Sequence, residues 1–482
     1  MTSTKKPNVI LIRIAPFSKY DIPHPQEAQL PLELAYVAGG FVANDWNVTV
    51  SDGWLTPQRK PDDSISLPNG KYDLAVIQVE TLNHETAVDI AKYIKSKNSK
   101  TKTIAIGQMS QAMPAAVLEF EGCFDACING EVEQTIREVS VAFLNNEEIK
   151  NIKGLVLRDS NTKKGIIKTP PRELVNSPDE FPHPAYQCFK LDSYAKMSNH
   201  VPIVGKVKWG WLLTARGCAF GCTFCSPLLR KSHGLRYRPH SVDYLLKLVD
   251  TLEKDHSCNA IAIEDDLLTY SKSRTIKLSR GLAARENILP WTAQARIDSI
   301  DEEMIREMKK GGCVGLCIGI ESATQSIREE YKKCKLTNQE IVDIIKMVHS
   351  HGIHTTLYFM LGFPGETKKQ ILATLDFASK LKPLMIQVAF FTPYPGSEVF
   401  NNILQEHSVE ETLSISHYNS INFSSGPVDP EEIRTLQRKF YRGFYFSPAY
   451  LWRYFTKRFP YTISQGREIK LALRTLRWMI NK

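Results

Sequence analysis

The chain lacks any apolar run long enough to cross a bilayer, which argues against a membrane-spanning class. It has no internal repeat and no low-complexity tract, so solenoids and compositionally biased disorder are excluded. Cysteine is sparse, at 10 in 482 residues, far from the density of a small secreted scaffold. No secretory signal opens the chain, because Met1-Thr-Ser-Thr-Lys-Lys-Pro7 leads straight into a strand candidate. The expectation is a cytoplasmic protein with reduced thiols. A deficit of acid over base leaves a net charge of +9, from 61 Lys and Arg against 52 Asp and Glu. Much of that excess lies near the end, at Lys457, Arg458, Arg467, Lys470, Arg474, Arg477 and Lys482. No motif for nucleic acid or membrane accompanies it, so a solvated basic face is expected.

What the chain does have is three cysteines close together, Cys218, Cys222 and Cys225, in Arg216-Gly-Cys-Ala-Phe-Gly-Cys-Thr-Phe-Cys-Ser226. This C-x3-C-x2-C spacing places three thiolates on one short loop. Three thiolates can hold three irons of a [4Fe–4S] cube and leave the fourth open to a small molecule. The next cysteine is Cys258, too distant to belong to the same loop. Zinc is the alternative reading. It wants four ligands in two pairs, and would need His233 or His240.

After the cysteines come apolar runs separated by amphipathic stretches. The runs are Ala260–Ile263, Pro290–Arg296, Gly315–Glu321, Thr355–Leu361 and Met385–Phe391. The stretches 301–310 and 338–350 are followed by Gly311 and Gly352, as helix ends tend to be. This alternation argues for a parallel β/α architecture with its site at the strand C-termini. Residues 8–145 repeat the theme with runs at 8–14, 47–50, 73–78, 103–106 and 126–128. They predict an open, doubly wound sheet that binds a ligand beyond its strand ends. The expected domains are 1–145 (doubly wound, Rossmann-like), 146–200 (a proline-broken bridge with part of a hairpin near 151–157), 201–404 (a partial barrel) and 405–482 (helical and aromatic).

The cysteine loop resembles the signature of the radical S-adenosylmethionine (SAM) enzymes, with Phe224 at the family's aromatic position. The resemblance continues in order through Arg236-Tyr-Arg238, Glu264-Asp265-Asp266, Arg296, Glu321, Gly362-Phe-Pro-Gly-Glu366 and Pro393-Tyr-Pro-Gly-Ser397. It implies a partial (β/α)6 barrel carrying a [4Fe–4S] cluster and SAM. The acidic trio would sit at the SAM amino group, and Arg296 and Glu321 would face its methionine or ribose part. Plainer roles stay open: a helix cap for Asp265 or Asp266, an ion pair for Arg296 and Glu321, a tight turn at Gly362, and packing for Cys313, Cys317 and Cys334.

The N-terminal third resembles the cobalamin-binding domain of one radical SAM subfamily. Gly107-Gln108 and Gly130-Glu131 fall at its ligand-facing turns. The D-x-H-x-x-G motif that supplies a histidine to cobalt in many such domains is missing; the region reads Ser18-Lys-Tyr-Asp-Ile-Pro-His-Pro25, with His24 as a candidate. The resemblance implies a cobalamin-dependent C-methyltransferase acting on an unactivated carbon, with a peptide or protein side chain among its substrate classes. It also implies a one-electron donor of ferredoxin or flavodoxin type. A radical cyclase or oxidoreductase, or a non-catalytic iron–sulfur or zinc protein, are the alternatives.

Overall fold

The computed structural model describes residues 6–14, 29–59, 64–80, 83–159, 162, 165–194, 207–225, 234–404, 426–454 and 456. The N-terminal sheet has seven strands: β1 (Asn8–Arg13), β2 (Asn47–Asp52), β3 (Leu74–Gln78), β4 (Lys102–Ile106), β5 (Ala126–Ile128), β6 (Leu155–Arg158) and β7 (Ile166–Lys168). Their order is β2-β1-β3-β4-β5-β6-β7. The first five are parallel, and β6 and β7 join antiparallel at the edge. Helices cover both faces, so the strands are apolar throughout rather than alternating. In β1, Val9 and Leu11 enter one core while Ile10 and Ile12 enter another on the opposite face, and all four are fully buried. The hairpin expected near 151–157 is present. It extends this sheet, so the sheet does not stop at residue 145. Strand order reverses between β1 and β3, the switch point where such sheets open a ligand crevice.

The segment 170–194 straps the sheet to the second unit. The helix Leu32–Val42 carries Gly39 where the strap crosses it. A Cβ at Gly39 would stand 2.1 Å from the His183 carbonyl oxygen, so only glycine admits this approach. On the other side of the strap, the Tyr186 hydroxyl donates to the Trp211 carbonyl at 2.7 Å.

The second unit begins with β8 (Trp209–Leu212) and a two-stranded ribbon of β9 (Ala215–Arg216) and β10 (Arg238–Pro239). It continues with β11 (Ala260–Ile263), β12 (Trp291–Arg296), β13 (Cys313–Glu321), β14 (His354–Leu361) and β15 (Met385–Phe390). Strands β8 and β11–β15 form a parallel sheet in sequential order, with β8 and β15 at its two edges. This is an open (β/α)6 barrel. Outward-facing Ile263, Ile318, Leu357 and Phe390 are buried beneath the helices. Inward-facing Gln294, Tyr358 and Gln387 remain partly accessible, so the inner wall is polar and reachable. Capping boxes at Thr337/Glu340 and Thr367/Gln370 start the helices that follow β13 and β14.

The helix Pro430–Tyr445 lies along β15. Its Phe440 and Phe444 are buried. The Tyr441 hydroxyl accepts from Val388 N at 2.9 Å, and Gln437 donates to the Val388 carbonyl at 2.7 Å. The aromatic tail therefore satisfies an edge strand with side chains. Among the described residues no helix is long and apolar enough to cross a membrane. Ser18–Pro25, His233 and the basic positions from Lys457 onward lie outside the described residues.

Candidate active site

The cysteine loop leaves β9 through Gly217, whose φ of 80° requires a residue tolerant of the left-handed region. Its stem is fixed from the barrel. Asp265, 2 % exposed, accepts from the backbone and hydroxyl of Thr214, and from Ala215 N at 3.2 Å. Burial pushes the Asp265 carboxyl up to about 6, against the pull of these donors. The loop's far end is fixed by Thr223 N, which donates to the Tyr331 carbonyl at 3.0 Å. Phe224 packs edge-on against Phe363, with centroids 6.3 Å apart, in a small aromatic cluster with Tyr331 and Phe391.

Arg296, at the end of β12, is the loop's cationic neighbour. Its guanidinium donates to Cys222 Sγ at 3.2 Å, to the Lys332 and Lys333 carbonyls at 2.7 and 3.2 Å, and to Asp298 at 2.6 and 3.0 Å. The Phe220 ring lies 4.1 Å above it. Arg296 thus contacts the cysteine loop directly. Glu321 ends the neighbouring strand β13. It receives Lys332 Nζ at 2.7 Å, and the same ammonium donates to the Gly319 carbonyl at 2.8 Å. The ion pair weighed in the sequence, between Arg296 and Glu321, does not form: Glu321 pairs with Lys332 and Arg296 with Asp298. Glu321 sits at a register shift between β13 and β14 with φ of 70°, a strained conformation for a non-glycine residue at the barrel mouth.

The acidic trio separates by direction. Asp265 is spent on the loop stem. Asp266 lies within electrostatic reach of Arg216 and Cys218. Glu264 belongs to the inner wall: strand register aligns it with Gln294 on β12 and Cys317 on β13. Burial, with the charge of Asp265 beside it, pushes the Glu264 carboxyl up to about 7. Tyr358 on β14 lies beside Cys317 on β13, with Gln294 on β12 within its reach. Cys317 therefore belongs to a polar wall, whereas Cys313 and Cys334 are packed core residues, as read from the sequence. Gln294 and Gln387 gave no warning in the sequence. Inward alternation along β12 and β15 is the signal that marks them.

At the C-terminal edge of the N-terminal sheet, Gly107 follows β4 with φ of 90°, and a Cβ there would stand 2.7 Å from Glu80 Oε1. Gln108 N donates to Glu80 at 3.3 Å, and Gln78 donates to Glu33 at 3.0 Å. Burial and the charge of Glu33 push Glu80 up to about 8. Neither Glu33 nor Glu80 stood out in the sequence. Gly130 follows β5 with φ of 119°, and a Cβ built on it would meet nothing within 4 Å: the turn faces open space. Gln111 holds this turn through Gly130 N at 2.7 Å and Gly130 O at 2.9 Å. Glu131 follows this turn directly. Its carboxylate takes both prongs of Arg238, at 2.5 and 3.1 Å. Beside it, Glu133 pairs with Arg216.

The donor set suits an iron–sulfur cube. Three thiols stand on one half-buried loop, and an arginine N–H already points at one sulfur. Among the described residues no three His, Cys, Asp or Glu side chains converge on a single-ion site. Thiolates that each take a different corner of a cube need not converge. His240, the described candidate for a zinc ligand, is fully buried, with its Nδ1 2.8 Å from Asp179 and its ring stacked on Tyr244 at 4.4 Å.

A family model described as the radical SAM superfamily matches residues 212–378. The uncharacterized methyltransferase PH0819 of Pyrococcus horikoshii is 30 % identical over 432 residues, covering 87 % of this chain and 89 % of that protein. The chain belongs to the radical SAM superfamily. It is therefore an enzyme whose cofactors include SAM and a [4Fe–4S] cluster, and the cysteine loop is the segment of this radical SAM protein suited to hold the latter. Cytidylyl-2-hydroxyethylphosphonate methyltransferase of Streptomyces wedmorensis is 24 % identical over 478 residues, covering 88 % of this chain and 87 % of that one. Among solved structures, the radical SAM methyltransferase TsrM of Kitasatospora setae, bound to cobalamin and a [4Fe–4S] cluster, superposes with a TM-score of 0.65 at 18 % identity. That likeness covers 83 % of this chain and 75 % of TsrM. The cobalamin-dependent enzyme OxsB gives 0.62 at 19 % identity, over 85 % of this chain and 56 % of OxsB. The fold, a doubly wound sheet followed by a radical SAM barrel and a helical C-terminal region, is the one these proteins share.

Proposed function

We propose that this protein is a cobalamin-dependent radical SAM methyltransferase that methylates an unactivated carbon. The observation that carries the reading is a juxtaposition. The cysteine loop and the open C-terminal edge of the doubly wound sheet are joined through the β9–β10 ribbon. One unit suits a reactive cluster and the other suits a flat ligand lying beyond its strand ends. When bound, the cluster with SAM supplies a 5′-deoxyadenosyl radical and cobalamin supplies the methyl group. Cys218, Cys222 and Cys225 would hold the cluster, with Arg296 orienting Cys222. Glu264 and Asp266 are the members of the trio that would meet the SAM amino group, since Asp265 holds the loop stem. Gly107, Gln108 and Gly130 would line the corrin, with Glu80 beneath them as a neutral acid able to donate a hydrogen bond. Gln294, Tyr358 and Gln387 would hold the substrate by hydrogen bonds and shield it from bulk water. The relatives with substrates in their names span small molecules, such as cytidylyl-2-hydroxyethylphosphonate and bacteriochlorophyllide d, and a ribosomal protein; the first two align over more of this chain, so a small-molecule substrate is our reading. The reducing electron would come from a ferredoxin or flavodoxin.

The test is anaerobic reconstitution with iron, sulfide, SAM, a low-potential reductant and candidate substrates. The expected product is heavier by one CH2 and depends on added cobalamin. Methylation that proceeds equally without cobalamin overturns the cobalamin role, and absence of 5′-deoxyadenosine overturns the radical reading.

A further inference from the structure

Four buried charges meet between the two units. Arg216 and Arg238 stand opposite each other on the β9–β10 ribbon, whose strands pair in antiparallel register at these two residues. Both project to the N-terminal sheet, where Glu131 and Glu133 flank the start of the helix Val132–Leu144. Arg238 takes Glu131 with two bonds, at 2.5 and 3.1 Å, and Arg216 takes Glu133. All four side chains are between 1 and 2 % exposed. The Arg216 guanidinium also stacks on Tyr36 at 4.7 Å.

The location is telling. Arg216 stands two residues before the first cluster cysteine, and Glu131 immediately follows Gly130, the turn that faces open space. Burying four charges carries a large desolvation penalty, and apolar side chains of like volume often stabilise an interface as well or better. What a guanidinium–carboxylate fork adds is direction, since two parallel bonds fix both distance and angle. Apolar packing at the same place tolerates sliding. We infer that Glu131, Glu133, Arg216 and Arg238 are positioning residues that set the distance and orientation of the cysteine loop relative to the ligand turn at Gly130, and so of the cluster relative to the corrin. The inference rests on the cobalamin reading above.

The experiment uses full-length protein, anaerobically loaded with cluster and cobalamin and partly reduced. Pulsed electron paramagnetic resonance then reads the dipolar coupling between the reduced cluster and cob(II)alamin. Arg238→Lys keeps the charge but not the fork. Its distance distribution is expected to shift or broaden roughly twofold relative to wild type, with iron and corrin content unchanged. The exchange Glu131→Arg with Arg238→Glu, which restores a pair of reversed polarity, is expected to narrow it again. Glu131→Gln, isosteric with the native residue, serves if either arginine variant fails to fold. An unaltered distribution in a folded, loaded variant, even one with a lowered melting temperature, overturns the positioning role and leaves the cobalamin reading intact. A wild-type protein that takes up cluster but no corrin overturns the cobalamin reading instead.

Discussion

At the scale of single residues, neighbours of identical type do different work. Asp265 and Asp266 are indistinguishable as a dipeptide, yet one anchors Thr214 and Ala215 and the other faces Arg216 and Cys218. No local pattern separates them. What decides is the rotation of the chain as it leaves β11, which only the folded barrel supplies. Glu264, one residue earlier, carries a testable consequence. Its carboxyl is raised from 4.5 to about 7, so near neutrality a large share holds a proton. If its carboxylate accepts from the SAM amino group, binding favours the ionised form and expels that proton below about pH 7. The affinity of reconstituted protein for SAM is then expected to rise with pH, by up to about tenfold per unit, and to level off above about pH 7. Glu264→Gln should flatten this dependence. Equilibrium dialysis at about pH 6 and about pH 8 distinguishes the two profiles. A slope retained in the variant would assign the proton to another group.

At the scale of elements, the strands were the most legible part of the sequence. Two-sided burial makes β1, β3 and β4 near-continuous apolar runs, and their limits fall within a residue or two of those expected. The short β8, Trp209–Leu212, sits just ahead of the cysteine loop and offered only four residues of pattern. The tail was legible as helical and aromatic, but not in its purpose. Of its aromatics Phe440 and Phe444 are core, whereas Tyr441 and Tyr445 put their hydroxyls on the edge of β15. Removing the Tyr441 hydroxyl with Tyr441→Phe leaves Val388 N without that acceptor. A loss of about 1–2 kcal/mol is expected in urea denaturation. Equal midpoints and slopes for the two proteins would show that the edge has another partner.

At the scale of the whole molecule, the two units are less separable than their boundaries suggest. One hydrophobic core runs from Val9 and Leu11 through Tyr186 and Trp211 to Phe440 and Tyr450. The Arg–Glu pairs that cross it join positions 83 and 107 residues apart, which explains why sequence motifs recognised on both sides gave no hint that they meet. Shared core and crossed charges predict a single cooperative unfolding transition, in which tryptophan fluorescence and far-ultraviolet dichroism coincide. Two resolved transitions would mean that the units unfold independently and that the strap at 170–194 is only a tether.

A cylinder of eight strands closes on itself and fills its middle with its own side chains. Here six strands stop short, and β15 has its outer rim occupied by a helix instead of by another strand. Among the described residues no strand bridges β15 to β8. Substitutions along that seam, at the Tyr441 and Gln437 side chains that occupy the β15 edge, are expected to change which guest is accepted.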